Sequence, residues 1–225
     1  LQRAYDQIIH DVALQNLHVV FVLDRGGLVG ADGPTHHRTF DLSYLRCIPG
    51  MVVMAPKDES ELRDMLYTAV EHHAGPVALR YPRGTAFGVP LKKGFDKIEI
   101  GKGEILRTGN DIAILSVGTM ALNSLAAADI LAKEGILAEV VNMRFVKPID
   151  KKLLESLLMR FDRIVTVEEN SIHGGFGAAI LETLTELKHG DVKVRVHGVP
   201  DEFIEHGSPA ELHKIVKLDA AGIAE

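Results

Sequence analysis

Tryptophan is absent from these 225 residues, cysteine occurs once, and aromatic side chains make up only 5%. A single cysteine excludes an internal disulfide and fits a reducing compartment. Basic excess is also missing: 25 Lys and Arg face 31 Asp and Glu, for a net charge of −6. That balance, with no Lys/Arg stretch interleaved with aromatics, argues against a nucleic-acid partner. No apolar run approaches the roughly 20 residues that a membrane-spanning helix needs, so no membrane role is expected. The start has neither a methionine nor a charged region leading into an apolar one, so it does not read as a signal peptide.

What is present suits an α/β protein of one or two domains: 46% hydrophobic residues and strands alternating with helices. The opening "LQRAYDQIIHDVALQN" already reads as a helix, with Leu1, Tyr5, Ile8, Ile9, Val12 and Ala13 along one side. A chain that begins inside an element is expected to be a fragment or a nicked product. Short apolar runs at Val19 to Leu23, Met51 to Met54 and Pro76 to Arg80 read as strands. Between the last two, Asp58 stands three residues before Glu61, a capping-box spacing that opens a helix through Leu62, Met65, Leu66 and Ala69. Continuous apolar strands separated by helices predict a parallel sheet covered on both faces. Cys47, between Leu45 and Ile48, is expected to be a packed core thiol.

Residues 91–104 read as a linker, with room for one edge strand, between a first unit over 1–90 and a second over 105–225. The second unit repeats the alternation. Strand "DIAILSVG" leads to a helix that stops at Gly135, and three further strands follow with helices between them, ending in a helix near 209–216.

In open parallel sheets, ligands bind beyond the carboxyl ends of strands. "DRGGLVGADGPTHH" (24–37) lies there, after the Val19–Leu23 strand. Its glycines let backbone approach a ligand closely. Asp32 and His36 offer acid/base groups, and Arg25 offers an anion clamp. "RYPRG" places Arg80 and Arg83 at a second strand end, and guanidinium groups match phosphate oxygens in bidentate geometry. The bland reading stays open: glycines that serve the loop's own turns, and arginines in ordinary surface ion pairs. Arginines at two strand ends favour a pocket for a small phosphorylated substrate. "VEENSIHGGFG" (167–177) opens another helix N-terminus that could hold an anion, although a packing role is the simpler reading. His72 and His73, at a helix end where cations are favourable, carry no assigned chemistry. No His/Cys/Asp cluster has metal-ligand spacing.

Together "DRGGLVGADGPTHH", "FDLSYLRCIPGMVVMAPKDESEL", "RYPRG", "NMRFVKPID" and "VTVEEN" resemble the 1-deoxy-D-xylulose-5-phosphate synthase family of thiamine-diphosphate enzymes. Transketolases carry a segment similar to "DGPTH", but Arg25 after the strand and "RYPRG" favour the synthases. The resemblance implies two three-layer α/β units with parallel or mixed sheets, of transketolase-like type. Residues 1–90 would be the later part of a pyrimidine-binding domain, and 105–225 a transketolase C-terminal domain. It implies decarboxylative condensation of pyruvate with glyceraldehyde 3-phosphate, supplying isoprenoid, thiamine and pyridoxal synthesis. It also implies a homodimer with thiamine diphosphate and Mg²⁺, in bacterial cytoplasm or plastid stroma.

Carried over by position, Arg25 and Arg83 would hold the aldehyde's phosphate, and Arg3, Asp32 and His36 would line the same pocket. His36, an imidazole able to give and take a proton, suits proton transfer at the acceptor carbonyl or stabilisation of the cofactor-bound intermediate, while Asp32 orients it or meets a substrate hydroxyl. The family's Gly-Asp-Gly…Asn segment and its cofactor-activating glutamate have no counterpart here. The chain alone is therefore expected to lack synthase activity, unless the missing N-terminal segment is supplied. Two rivals remain: the C-terminal subunit of a split transketolase-like enzyme, and a silent dimerisation module that binds a phosphorylated effector.

Overall fold

The computed structural model describes all of residues 1–225, and two sheets organise them. The chain opens with a 3₁₀ turn (Gln2–Ala4), the α-turn α1 (Tyr5–Gln7) and a π-helical turn (Ile8–Ala13). Only Ile8 is fully buried there, with Tyr5, Ile9 and Ala13 half-buried against the core. The expected helix is thus present as a mixture of windings.

The first sheet has order β1-β3-β2-β7, from β1 (Val20–Leu23), β2 (Val52–Met54), β3 (Val77–Arg80) and β7 (Phe145–Lys147). β1, β3 and β2 run parallel, and β7 joins β2 antiparallel. Helices α2 (Asp41–Arg46) and α3 (Glu59–Glu71) lie between these strands in sequence. The predicted cap holds in part: the Asp58 carboxylate accepts from the Glu61 backbone N–H at 2.8 Å. Glu61 does not complete the box; its side chain turns to the Lys57 backbone, Asn142 and Arg144.

The second sheet has order β4-β6-β5-β8-β9. Its strands are β4 (Glu104–Arg107), β5 (Ile112–Ser116), β6 (Ala138–Asn142), β8 (Arg163–Ser171) and β9 (Lys193–Val199). β4 alone is antiparallel. Helices α4 (Met120–Lys133), α5 (Lys151–Leu158), α6 (Phe176–Glu186), α7 (Pro209–Ile215) and α8 (Ala220–Ala224) accompany it. No helix is long and apolar enough to cross a membrane.

The two sheets share material. β7 comes from the later half of the chain yet completes the first sheet. A cluster of 22 buried residues joins Leu23, Leu42 and Val53 to Val141, Phe176 and Ile180. Burying such apolar surface at about 25 cal/mol per Å² makes the junction a core rather than a hinge.

Three expectations need correction. β1 is not buried on both faces: Val22 is half exposed because nothing packs over the face of the sheet to which its side chain points. Cys47 is exposed, because α2 turns Leu42 and Leu45 inward and ends at Arg46, leaving the thiol at the helix end beside Tyr5. Three residues of β7 and six of α2 pass beneath the length at which apolar period is readable, and neither was expected.

Candidate functional site

The segment after β1 is a closed loop, set by its own backbone and by side chains beneath it. Gly27 and Arg38 exchange two backbone hydrogen bonds at 2.9 Å, pinching residues 28–37 into an excursion. Arg38 also donates to the Asp24 carbonyl at 2.9 Å. Arg25 adopts φ +57°, which turns its side chain away from the strand direction.

Two of the glycines answer to neighbours. A Cβ on Gly26 would stand 2.6 Å from Arg80 Cδ, and one on Gly27 would stand 2.6 Å from both carboxylate oxygens of Glu169. The loop is glycine-rich at its root because a guanidinium and a carboxylate fill the space where side chains would go.

Arg80 is that guanidinium, and it is not a substrate clamp. It is 3% exposed, donates to Asp41 Oδ2 at 3.2 Å and to the Glu169 carbonyl at 2.6 Å. Burial pushes the Asp41 carboxyl upward, against the opposing charge and hydrogen bond of Arg80. The pair is an internal brace between α2 and β3, and Arg80 is committed to it rather than open to a ligand's phosphate.

Arg25, Asp32 and Arg83 do come together. Arg83 Nη1 donates to Asp32 Oδ2 at 2.9 Å, and Arg25 Nη1 lies 3.9 Å from the same oxygen. All three side chains are solvent-accessible, between 36% and 50% exposed. Each guanidinium spends at most one donor direction on Asp32; Arg25 Nε also lies 3.9 Å from Asp24 Oδ2, and the other donors have no protein partner.

Arg25 also lines a cavity of about 360 Å³ with Arg3, His36, Arg38 and Tyr44. The only carboxylate on that wall, Asp41, is already paired with Arg80, so the cavity is cationic. His36 is exposed, and its Nδ1 is 2.9 Å from Thr35 Oγ1, which leaves Nε2 free. His37 is different: it is 7% exposed, accepts from Val29 N at 3.0 Å and donates toward the Glu205 carbonyl. Both adjacent histidines line the cavity, but His37 has both ring nitrogens engaged and only His36 keeps one free.

The glycine turn before α6 is closed to ligands. Glu168 takes its helix N-terminus, accepting from Phe176 N and Gly177 N at 2.7 Å each. Burial raises the Glu168 carboxyl to about 7, against those two backbone donors.

The sheet orders and the loop-end arginines acquire a context in known proteins. Residues 1–87 match the transketolase pyrimidine-binding domain, and residues 101–223 match the transketolase C-terminal domain. The chain belongs to the transketolase family. It is 56% identical, over 224 residues, to 1-deoxy-D-xylulose-5-phosphate synthase 1 of Geobacter sulfurreducens, covering 100% of this chain and 35% of that protein. It is 58% identical to the synthase of Aquifex aeolicus, covering 99% and 35% respectively. The chain thus spans about a third of the length of these curated relatives.

Among solved structures, a split gene transketolase described as an inactive beta4 tetramer superposes with a TM-score of 0.84 at 30% identity, covering 99% of this chain and 70% of that one. A transketolase variant of Pichia stipitis gives 0.69 at 23% identity, covering 94% and 30%, a likeness of fold. Within this transketolase-family chain, Arg3, Arg25, Asp32, His36 and Arg83 all fall in the pyrimidine-binding match. Residues missed from sequence come from both units: Arg38 on the cavity wall, and Glu169 and His213 behind the loop. The adjacent acids of "VEEN" at the end of an apolar strand were the available signal, since buried carboxylates need partners.

Proposed function

We propose that the chain is the acceptor-binding portion of a 1-deoxy-D-xylulose-5-phosphate synthase, which condenses pyruvate with glyceraldehyde 3-phosphate. The supporting observation is the single Asp32 oxygen between the guanidinium groups of Arg25 and Arg83, with Arg25 on the wall of the cationic cavity that also holds Arg3 and His36. Arg25 and Arg83 bind the aldehyde's phosphate dianion through their outward donors, with Arg3 reinforcing the positive field. Asp32 holds the two guanidinium groups in register before the anion arrives and orients the aldehyde end. His36, anchored through Nδ1 by Thr35, presents Nε2 to the acceptor carbonyl oxygen, to which a proton must be given as that carbonyl becomes a hydroxyl.

The synthase reading carries with it thiamine diphosphate, which supplies the carbanion chemistry when bound. The residues of this chain do not fit its diphosphate and Mg²⁺. No three His, Cys, Asp or Glu side chains converge as a donor set, and the second glycine-rich helix start is filled by Glu168. In this proposal the cofactor is held by the rest of the enzyme, a homodimer, and the chain alone does not turn over. The rival reading as a split transketolase subunit has 30% identity behind it, against 56–58% for proteins named as the synthase.

The test is steady-state kinetics of the full-length enzyme. Arg25→Ala and Arg83→Ala should each raise KM for glyceraldehyde 3-phosphate by about 10- to 100-fold, with KM for pyruvate little changed. His36→Asn should lower kcat by about 10²-fold or more. An aldehyde KM unmoved by both arginine variants would overturn the assignment.

A further inference from the structure

The loop that carries Arg25, Asp32 and His36 is held to the other unit most closely at Leu28. Leu28 is 3% exposed, and its side chain lies not in the first unit's core but in a 15-residue cluster with Val167, Val199, Ile204 and Leu212. Every other member of that cluster belongs to residues 114–223. The Leu28 backbone N–H is held as well: it donates to Glu169 Oε1 at 3.0 Å.

The same carboxylate oxygen accepts from His213 Nε2 at 2.9 Å. Glu169 is 4% exposed and His213 20% exposed at their side chains, so the pair is largely shielded from water. The Glu169 carbonyl meanwhile accepts from Arg80, whose guanidinium lies beneath Gly26. Helix α7, which presents His213, starts on a full capping box between Ser208 and Glu211. Its approach segment runs beside the loop, with Gly207 N donating to the Gly30 carbonyl at 3.4 Å. His213, Glu169 and Leu28 also line, with Arg83 and Tyr81, a cavity of about 340 Å³ between the units.

Resting on the proposed function above, we infer that Glu169 and His213 of the C-terminal unit are positioning residues for the aldehyde-phosphate site. They fix the Leu28 backbone, and through it the separation of Arg25 and Asp32 from Arg83. Neither side chain touches substrate. Besides its own bridge, the loop between Gly27 and Arg38 meets the C-terminal unit at this anchor and at the longer His37–Glu205 and Gly207–Gly30 hydrogen bonds, 3.4 Å each; the Leu28 contact is the shortest of the three and lies nearest Arg25 along the chain. A bidentate clamp loses affinity steeply when its two halves move apart, so loss of the anchor is read first in aldehyde binding.

A second observation agrees. The imidazole of His213 is pushed down by burial but pulled up by more, through the hydrogen bond and charge of Glu169 together with the charge of Asp219, for a net raised pKa. The pair therefore holds together as a charge-assisted contact.

The experiment compares full-length enzymes bearing Glu169→Ala, Glu169→Gln, His213→Ala and, as a reference, Arg25→Ala. Thermal unfolding is measured beside both KM values and kcat. Glu169→Ala and His213→Ala should raise the aldehyde KM roughly tenfold, with pyruvate KM within about twofold. Glu169→Gln, which keeps an oxygen for the Leu28 N–H, should recover most of the loss. His213 is partly exposed, so its variant keeps the test open if Glu169→Ala does not fold.

An aldehyde KM within about twofold of wild type in His213→Ala, while Arg25→Ala raises it, would overturn the positioning role and leave the site standing. A fall in kcat with both substrates that tracks lowered thermal stability would reduce the pair to a structural one. If Arg25→Ala itself leaves the aldehyde KM unmoved, the site reading fails and this inference with it.

Discussion

Two glycine-rich passages leave the carboxyl ends of parallel strands in this molecule, one after β1 and one between β8 and α6. In both, the glycines make room for the chain's own charged groups: Arg80 and Glu169 against Gly26 and Gly27, Glu168 and Asn170 against Gly175. They differ in what remains afterwards. The second passage ends with its helix start satisfied by a fully buried carboxylate. The first ends with Arg25, Asp32 and His36 in solvent, beside Arg83 from just past the end of β3. Glycine content marks close backbone approach in both places; the spare donors are what set the first apart, and they are the ground for proposing a ligand there.

The hardest way to break this comparison is to remove one arginine from each class. Arg80→Ala leaves Asp41, 1% exposed, as a buried charge without its partner, and should cost about 3–5 kcal/mol of folding stability. Arg83→Ala leaves Asp32 in water and should cost less than about 1 kcal/mol, its loss being felt in aldehyde binding instead. Urea unfolding of the two variants measures this directly. Equal costs would mean that the buried and exposed arginines are not different in kind.

The next effect is on pH dependence. The Glu168 carboxyl is raised from 4.5 to about 7 by burial, so the folded protein keeps this proton where the unfolded chain has released it. With more protons bound in the native state, stability falls as pH rises from about 4.5 to about 7, and levels off above that. A shift of this size corresponds to about 3 kcal/mol across the window. Glu168→Gln should remove that slope, leaving other contributions in place. A wild-type minus variant difference that stays flat between pH 4.5 and 7 would show that Glu168 is ionised throughout.

Much of the frame was legible because it rests on period and length. Strands of four or more apolar residues, the 13-residue α3 and the 14-residue α4 declare themselves by spacing. The loop-end residues Arg25, Asp32, His36 and Arg83 stood out as candidates because strand ends concentrate chemistry in parallel sheets, and Arg25, Asp32 and Arg83 do lie together. What sequence order could not carry is partnership across long separations. Arg80 read as a clamp until Asp41 and the Glu169 carbonyl were found around it, and Glu169 meets Leu28 across 141 positions. The same holds for β7, whose three residues gain strand identity only from β2, in the other half of the chain.

The smallest predicted effect concerns Cys47, whose neighbours Leu45 and Ile48 suggested a core position. Its Sγ stands 3.1 Å from both Tyr5 Oη and the Tyr44 carbonyl, at the exposed end of α2. The Tyr5 hydroxyl, pushed up to about 12 chiefly by its hydrogen bond with Cys47, remains protonated and can donate to either atom. Serine keeps a polar atom in the same place, so Cys47→Ser should change stability by no more than about 0.5 kcal/mol. In the folded protein, a thiol-specific reagent should modify one cysteine that the Cys47→Ser variant lacks, without prior unfolding. Protection of that thiol until denaturant is added, together with a cost above about 1 kcal/mol, would return Cys47 to the core and with it the inward reading of the whole α2 end.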